Sequence, residues 1–149
     1  MRLHRLRWWH IDALLPIERD VFGAEAWSPA MFWSELAAGH HYLVAFDESV
    51  DPPVVAAYGG LAVSGDEAWI NNIAVVPAYR RRGLASRIVD ALLAEAKGRG
   101  ARQVALEVAV DNAPAQRLYD SYGFEQIGLR RGYYQSTGTD ALVMIKELS

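Results

Sequence analysis

Between Asn72 and Ser86 an apolar strand breaks at Pro77 and gives way to Ala-Tyr-Arg-Arg-Arg-Gly before a helix begins. The chemistry that such a stretch offers is anion binding. Backbone N–H groups at a helix start have no intrahelical partner, and the aligned peptide dipoles place roughly +0.5 of a charge beside them, so a phosphate can accept several hydrogen bonds at once. Arg80, Arg81 and Arg82 add fixed positive charge. Gly83, with no Cβ, lets the main chain take φ > 0 and press against a bulky oxyanion. On this pattern alone, a strand-turn-helix with merely solvated arginines is an equal reading. Neither GxxxxGK followed by Ser or Thr, nor GxGxxG, occurs in the chain.

Two further groups could move protons. Glu107 is the single ionisable residue in Gln103–Val110, an otherwise apolar strand, and Ala105 and Ala109 on its face leave room beside the carboxylate. It reads as a solvated edge-strand glutamate or, if the strand is covered on both faces, as a carboxylate that is paired or faces a cleft. Tyr119 lies on the apolar stripe of a short helix, where a core tyrosine with a satisfied hydroxyl is the ordinary reading. With no cysteine there is no thiolate nucleophile, disulfide or Cys-ligated zinc. His4, His10, His40 and His41 include no i, i+4 pair, and no metal site is expected.

The elements that must position these groups follow from periodicity and punctuation. Arg2–Arg7 reads as a short strand, and Ile11, Leu14, Leu15 and Glu18–Phe22 follow helical spacing until Gly23. Ser28 then caps a second helix with Pro29 at its first position, and Gly39 closes it. Tyr42–Phe46 and Val54–Val63 form a hairpin, and Ala68–Val75 continues the meander into the basic turn. From Leu84 a helix with Ile88, Ala91 and Leu92 on one face runs to Gly98 and Gly100. Gln103–Val110 must be the parallel partner of Ala68–Val75, reached by a right-handed crossover. Asn112 or Asp111 caps a last helix that ends at Gly123, and Phe124–Leu129 and Ala141–Lys146 close the chain. Arg130–Asp140 reads as a long polar loop carrying Tyr133 and Tyr134, the kind that contacts a substrate.

The expected fold class is therefore α/β: a central twisted mixed sheet with one parallel pair, flanked by helices. At 149 residues and 52% hydrophobic composition, a single domain over 1–149 can bury a full core. The 15 Lys and Arg against 18 Asp and Glu give a net charge of −3, so no global field draws the chain to nucleic acid or anionic lipid. Met1–His10 lacks the uninterrupted apolar core of a signal peptide, and no apolar run approaches the ~20 residues of a membrane span. A cytoplasmic enzyme is expected.

Arg80-x-x-Gly83-x-Ala85 directly after a strand resembles the pyrophosphate loop of the GNAT family of N-acetyltransferases. Trp27-Ser28, Asn72-Ile-Ala-Val-x-Pro, Leu106-Glu-Val, Asn112, Leu118-Tyr119 and Gly123-Phe124 come in that family's order, so the resemblance covers nearly the whole chain. Leu106-Glu-Val and Arg130-Arg-Gly-Tyr-Tyr followed by Asp140-Ala141 are most similar to the RimI branch, the ribosomal-protein-alanine N-acetyltransferases. The resemblance implies acetyl-CoA as co-substrate. Its pyrophosphate would be held by Arg80, Arg81, Arg82, Gly83, Leu84, Ala85 and Ser86. The pantetheine would lie on backbone groups of Ile73, Ala74 and Val75 and against Asn112. It implies Glu107 as general base and Tyr119 as proton donor to the departing thiolate, in direct attack within a ternary complex.

The implied acceptor is the α-amino group of a protein N-terminus, with a small-subunit ribosomal protein as the partner. Acetylation of a small amine, such as a polyamine, aminoglycoside or amino acid, is a second reading, and a non-catalytic acyl-CoA sensor a third. A sensor would have no need of both Glu107 and Tyr119.

Overall fold

In the computed structural model, residues 1–148 are described, and they form seven strands and four helices longer than a single turn. In chain order these are β1 (Leu3–Arg5), α1 (Ile11–Phe22), α2 (Pro29–Ala37), β2 (His41–Asp47), β3 (Val54–Ser64), β4 (Glu67–Val75), α3 (Leu84–Gly98), β5 (Gln103–Ala109), α4 (Ala113–Ser121), β6 (Glu125–Tyr134) and β7 (Thr139–Glu147). The strands hydrogen-bond in the order β1-β2-β3-β4-β5-β7-β6, a mixed sheet. Contacts group the chain into two compact units. One comprises residues 1–62 and 70–95, the other residues 63–69 and 96–149.

The first unit is built on the β1-β2-β3 meander, with antiparallel register Arg5↔Leu43 and Leu43↔Gly59. Its core comes from strand and helix residues that alternate or recur as burial requires: Leu6, Ile11, Leu14, Phe32, Tyr42, Val44 and Tyr58 are all at most 2% exposed. Ser28 caps α2 through its hydroxyl, which accepts from Met31 N–H at 3.3 Å, and Pro29 takes the first helical position, where its missing N–H costs nothing. α1 stops at Gly23, whose φ of +57° an L-residue seldom adopts. Gly60 faces the ring of Tyr42, which leaves no space for a Cβ. Gly59 is equally constrained, because a Cβ there would meet Ile88 Cγ2 at 2.9 Å and Ile73 Cγ1 at 3.0 Å. The side chains of β4 and α3 thus close directly onto the β3 backbone.

In the second unit the start of β4 pairs with β5 in parallel, Glu67↔Gln103 to Trp69↔Ala105. β5 pairs antiparallel with β7 along its whole length, with Glu107 opposite Val143. The expected parallel partnership of these two strands is present. Val104, Ala105, Leu106 and Val108 are all buried, so β5 carries apolar residues on both faces as an interior strand does. Asn112 caps α4, its Oδ1 accepting from Ala115 N–H at 3.2 Å.

The C-terminal hairpin differs from the sequence reading. Arg130–Asp140 is not a long loop: β6 continues through Arg130–Tyr134, pairing with β7 at Arg130↔Ala141 and, after a register shift, at Tyr134↔Thr139, and β7 starts at Thr139. Nearly all of β6 is exposed, so the alternation of apolar and polar residues that marks a half-buried strand is missing from it. The segment is held by main-chain pairing with β7, which sequence pattern does not report.

Candidate active site

The basic turn bends sharply between the end of β4 and the start of α3. Arg81 and Gly83 both take left-handed backbone, with φ of +65° and +74°. The place where a Cβ of Gly83 would stand is open, with no heavy atom within 4 Å. α3 begins at the next residue, and Arg87 N–H to the Gly83 carbonyl, at 3.1 Å, is its first i to i−4 bond. The N–H groups that open this 15-residue helix have no i−4 carbonyl inside it. The arginines are not equivalent. Arg80 Nε donates to the Val75 carbonyl at 3.3 Å, tying the turn to the end of β4. The guanidinium of Arg82 lies 5.2 Å from the ring centroid of Tyr79, whose hydroxyl donates to Asp47 at 2.6 Å.

Just before the turn, Ala74 is buried, Ile73 and Val75 are half-buried, and the Val75 carbonyl is engaged by Arg80. Inside β4, Asn72 has φ of +53°, an uncommon conformation for a non-glycine residue within a strand.

The proton-handling candidates lie in the second unit. The Glu107 side chain is 15% exposed, with Arg130 Nη2 at 3.7 Å from its Oε1. Burial, and then the neighbouring Glu107, pushes the Tyr133 phenol up to about 12. Glu107 Oε2 is buried and has no hydrogen-bond partner among the described residues. A buried carboxylate oxygen left without a donor is costly, and such an atom marks a place where a ligand or water completes the bonding. The β6 extension supplies both of the groups that meet Glu107. Tyr119 is 8% exposed and its ring packs edge-on to Phe124 at 5.8 Å between centroids. Burial, and secondarily Tyr134, pushes its phenol up to about 12, so it holds its proton throughout the neutral range. Asn112 is exposed, with its Oδ1 used as the cap.

Other features are separate from these groups. An open basin of about 950 Å³ is lined by β1 with His10, Phe46 and Glu48, and holds none of the candidate residues. Among the described residues, no group of three His, Cys, Asp or Glu could hold a metal ion. No helix among them is long and apolar enough to cross a membrane.

A model of the Acetyltransferase (GNAT) family matches residues 3–124. The chain belongs to the GNAT acetyltransferase family. It is an acetyl-CoA-dependent N-acetyltransferase, and its mixed sheet is the GNAT fold. Among its relatives, N-alpha-acetyltransferase RimI of Mycobacterium tuberculosis is 37% identical over 136 residues, covering 88% of this chain and 82% of that one. The crystal structure of the ribosomal-protein-S18-alanine N-acetyltransferase from Escherichia coli superposes with a TM-score of 0.87 at 32% identity, covering 99% of this chain and 94% of that one. Arabidopsis thaliana NAA60, solved in complex with acetyl-CoA, reaches the same TM-score of 0.87 at 20% identity over 99% of each chain, a likeness of fold.

Within this GNAT chain the residues 73–75 and 80–86 fall in the first unit, and Glu107, Asn112 and Tyr119 in the second. The open space at Gly83, the start of α3 at the next residue and the flanking cations fit the diphosphate of acetyl-CoA. Sequence reasoning missed Glu18. It occupies the buried stripe of α1 with Ile11 and Leu14, at 0% exposure, and accepts hydrogen bonds from Tyr58, Asn72 and Trp27. The signal was available, because Ile11, Leu14 and Glu18 recur at i, i+3 and i+7, and a carboxylate on an apolar stripe demands buried partners.

Proposed function

We propose that this acetyltransferase acts on the free α-amino group of a protein N-terminus, with alanine as the first residue, by direct attack on acetyl-CoA while both substrates are bound. The observation that carries the proposal is the buried, unpartnered Oε2 of Glu107, beside an Oε1 that has Arg130 Nη2 at 3.7 Å. An incoming ammonium or amine N–H supplies the missing donor. The relatives named as ribosomal-protein-alanine and N-alpha-acetyltransferases support a ribosomal-protein N-terminus as the first acceptor to try.

In this reading Arg80–Ser86 hold the diphosphate, and the backbone of Ile73–Val75, with Asn112, holds the pantetheine arm. Acetyl-CoA supplies an activated acyl carbon and a thiolate leaving group. Glu107 accepts a proton from the α-ammonium, directly or through water, so that the nitrogen lone pair is free to form the C–N bond. The Tyr119 hydroxyl, kept protonated by burial, gives its proton to sulfur as the C–S bond breaks. No cysteine is present to form an acyl-enzyme.

The acceptor class follows from the base. An α-amino group has an unperturbed pKa of roughly 7.7–8.0 and a lysine amine about 10.4, a gap of about 2.5 units or roughly 3.4 kcal/mol. A carboxylate base therefore faces a much smaller deprotonation penalty with an N-terminus than with a lysine side chain. The test is a mass-shift assay with acetyl-CoA and peptides that differ in their first residue. Free-alanine peptides should gain one acetyl group, and α-blocked peptides with an internal lysine should gain none near neutral pH. Acetylation of the blocked peptide, or of polyamines in preference to any peptide, would overturn the proposal.

A further inference from the structure

Glu18 is fully buried on α1, and the hydrogen bonds that it accepts among the described residues come from neutral donors on other segments. Its Oε1 accepts from the Tyr58 hydroxyl on β3 at 2.8 Å and from Asn72 Nδ2 on β4 at 2.9 Å; its Oε2 accepts from the Trp27 backbone N–H at 2.9 Å. Tyr58 is a secure donor, since burial and then the neighbouring Glu18 push its ionisation well above the usual phenol range. Replacing a buried carboxylate by an apolar side chain of similar volume is often neutral or stabilising. What Glu18 supplies beyond burial is the geometry it imposes on its partners.

That geometry is at Asn72. Its φ of +53° lies in the middle of β4, immediately before Ile73–Val75. Left-handed backbone at a non-glycine residue persists where the surroundings over-determine it, and asparagine does so best with its side-chain amide anchored. The anchor here is Glu18. The same carboxylate fixes Trp27, at the entry to α2, so one group sets both the β4 irregularity and the loop between the first two helices.

We infer that Glu18 is a positioning residue for acetyl-CoA binding: through Asn72 it holds the left-handed kink that aims the backbone groups of Ile73–Val75 at the pantetheine arm. It touches neither substrate. The inference rests on the assignment of Ile73–Ser86 as the acetyl-CoA site made above.

The test separates positioning from a merely structural role by using glycine, which adopts φ near +53° without an anchor. Acetyl-CoA Kd is measured by calorimetry for wild type, Glu18→Met, Asn72→Ala, Asn72→Gly, the double variant Glu18→Met with Asn72→Gly, and Gly83→Val, with melting curves to establish folding. Glu18→Met and Asn72→Ala should each weaken acetyl-CoA about tenfold, on the order of the cost of an unsupported left-handed residue. Asn72→Gly should stay within about threefold of wild type, and the double variant should recover most of the loss. A folded Glu18→Met that binds like wild type, or a double variant no better than Glu18→Met, overturns the inference. If Glu18→Met does not fold, the Asn72 pair decides, and equal binding by Ala and Gly overturns it. Gly83→Val distinguishes the two levels. If it loses acetyl-CoA while Glu18→Met and Asn72→Ala bind normally, the site assignment stands and the Glu18 inference falls. If Gly83→Val binds like wild type, both fall.

Discussion

Tyr119 and Glu107 show how differently two functional candidates are encoded. The burial of Tyr119 was legible from its place on the apolar stripe of α4, and the structure adds that burial raises its phenol to about 12. A phenol so protonated is a proton donor and a poor base at neutral pH, which fits departure of a thiolate. Tyr119→Phe should lower kcat by about 10²-fold at most while leaving acetyl-CoA affinity nearly unchanged, the pattern of a group that acts in the transition state. Turnover measured across thioesters of increasing leaving-group acidity checks the assignment. The defect should shrink as the leaving thiol becomes more acidic, and a constant defect would contradict a proton-donor role. For Glu107 the sequence revealed an isolated carboxylate in an apolar strand but not its neighbours. Arg130 and Tyr133 come from a segment whose polar, exposed side chains carry no strand pattern, so their arrival beside Glu107 could be learned only from the pairing of β6 with β7. Glu18 was hidden in another way. A glutamate in a helix is usually a solvated residue, and only its phase relative to Ile11 and Leu14 marks it as buried.

At the scale of elements, strands and helices with strong periodicity or a clear cap were legible to within a residue or two. α2 with its Ser28 cap and Pro29, α4 with its Asn112 cap, and the parallel pairing of β4 with β5 are examples. What sequence could not supply was the backbone irregularity in β4 at Asn72 and in the turn at Arg81, since either residue is ordinary in right-handed or extended backbone. Gly83 is the informative position in that turn. With φ of +74° and open space where a Cβ would stand, Gly83→Val adds a branched side chain both to a strained backbone and to the approach of a phosphate. Titration calorimetry should show acetyl-CoA binding abolished with the fold retained, whereas added salt should weaken wild-type binding only moderately, because main-chain N–H donors are unaffected by screening. Gly59 tests the packing beneath the same strand. A Cβ there would stand 2.9 Å from Ile88 and 3.0 Å from Ile73, so Gly59→Ala should cost about 1–3 kcal/mol by overpacking. Denaturant unfolding reads that loss directly. An unchanged midpoint would mean that α3 and β4 can move away from β3 more easily than their burial suggests.

The molecule as a whole carries a formal charge of −3, and five of its 15 Lys and Arg residues fall in two uninterrupted runs, Arg80–Arg82 and Arg130–Arg131. The first flanks the turn proposed to hold a diphosphate, and Arg130 of the second lies 3.7 Å from Glu107. A net charge of −3 supplies no global field toward nucleic acid. The pH dependence of Glu107→Gln tests the proposed role of Glu107 as the base for an α-amine. Glutamine keeps the shape of the side chain and removes its ability to take a proton. With an alanine-initiated peptide, the ratio of wild-type to variant kcat/KM should be largest below the amine pKa, where nearly every acceptor arrives protonated. It should fall as the pH rises past roughly 8, where the amine deprotonates without help. A defect of the same size at every pH would contradict the account.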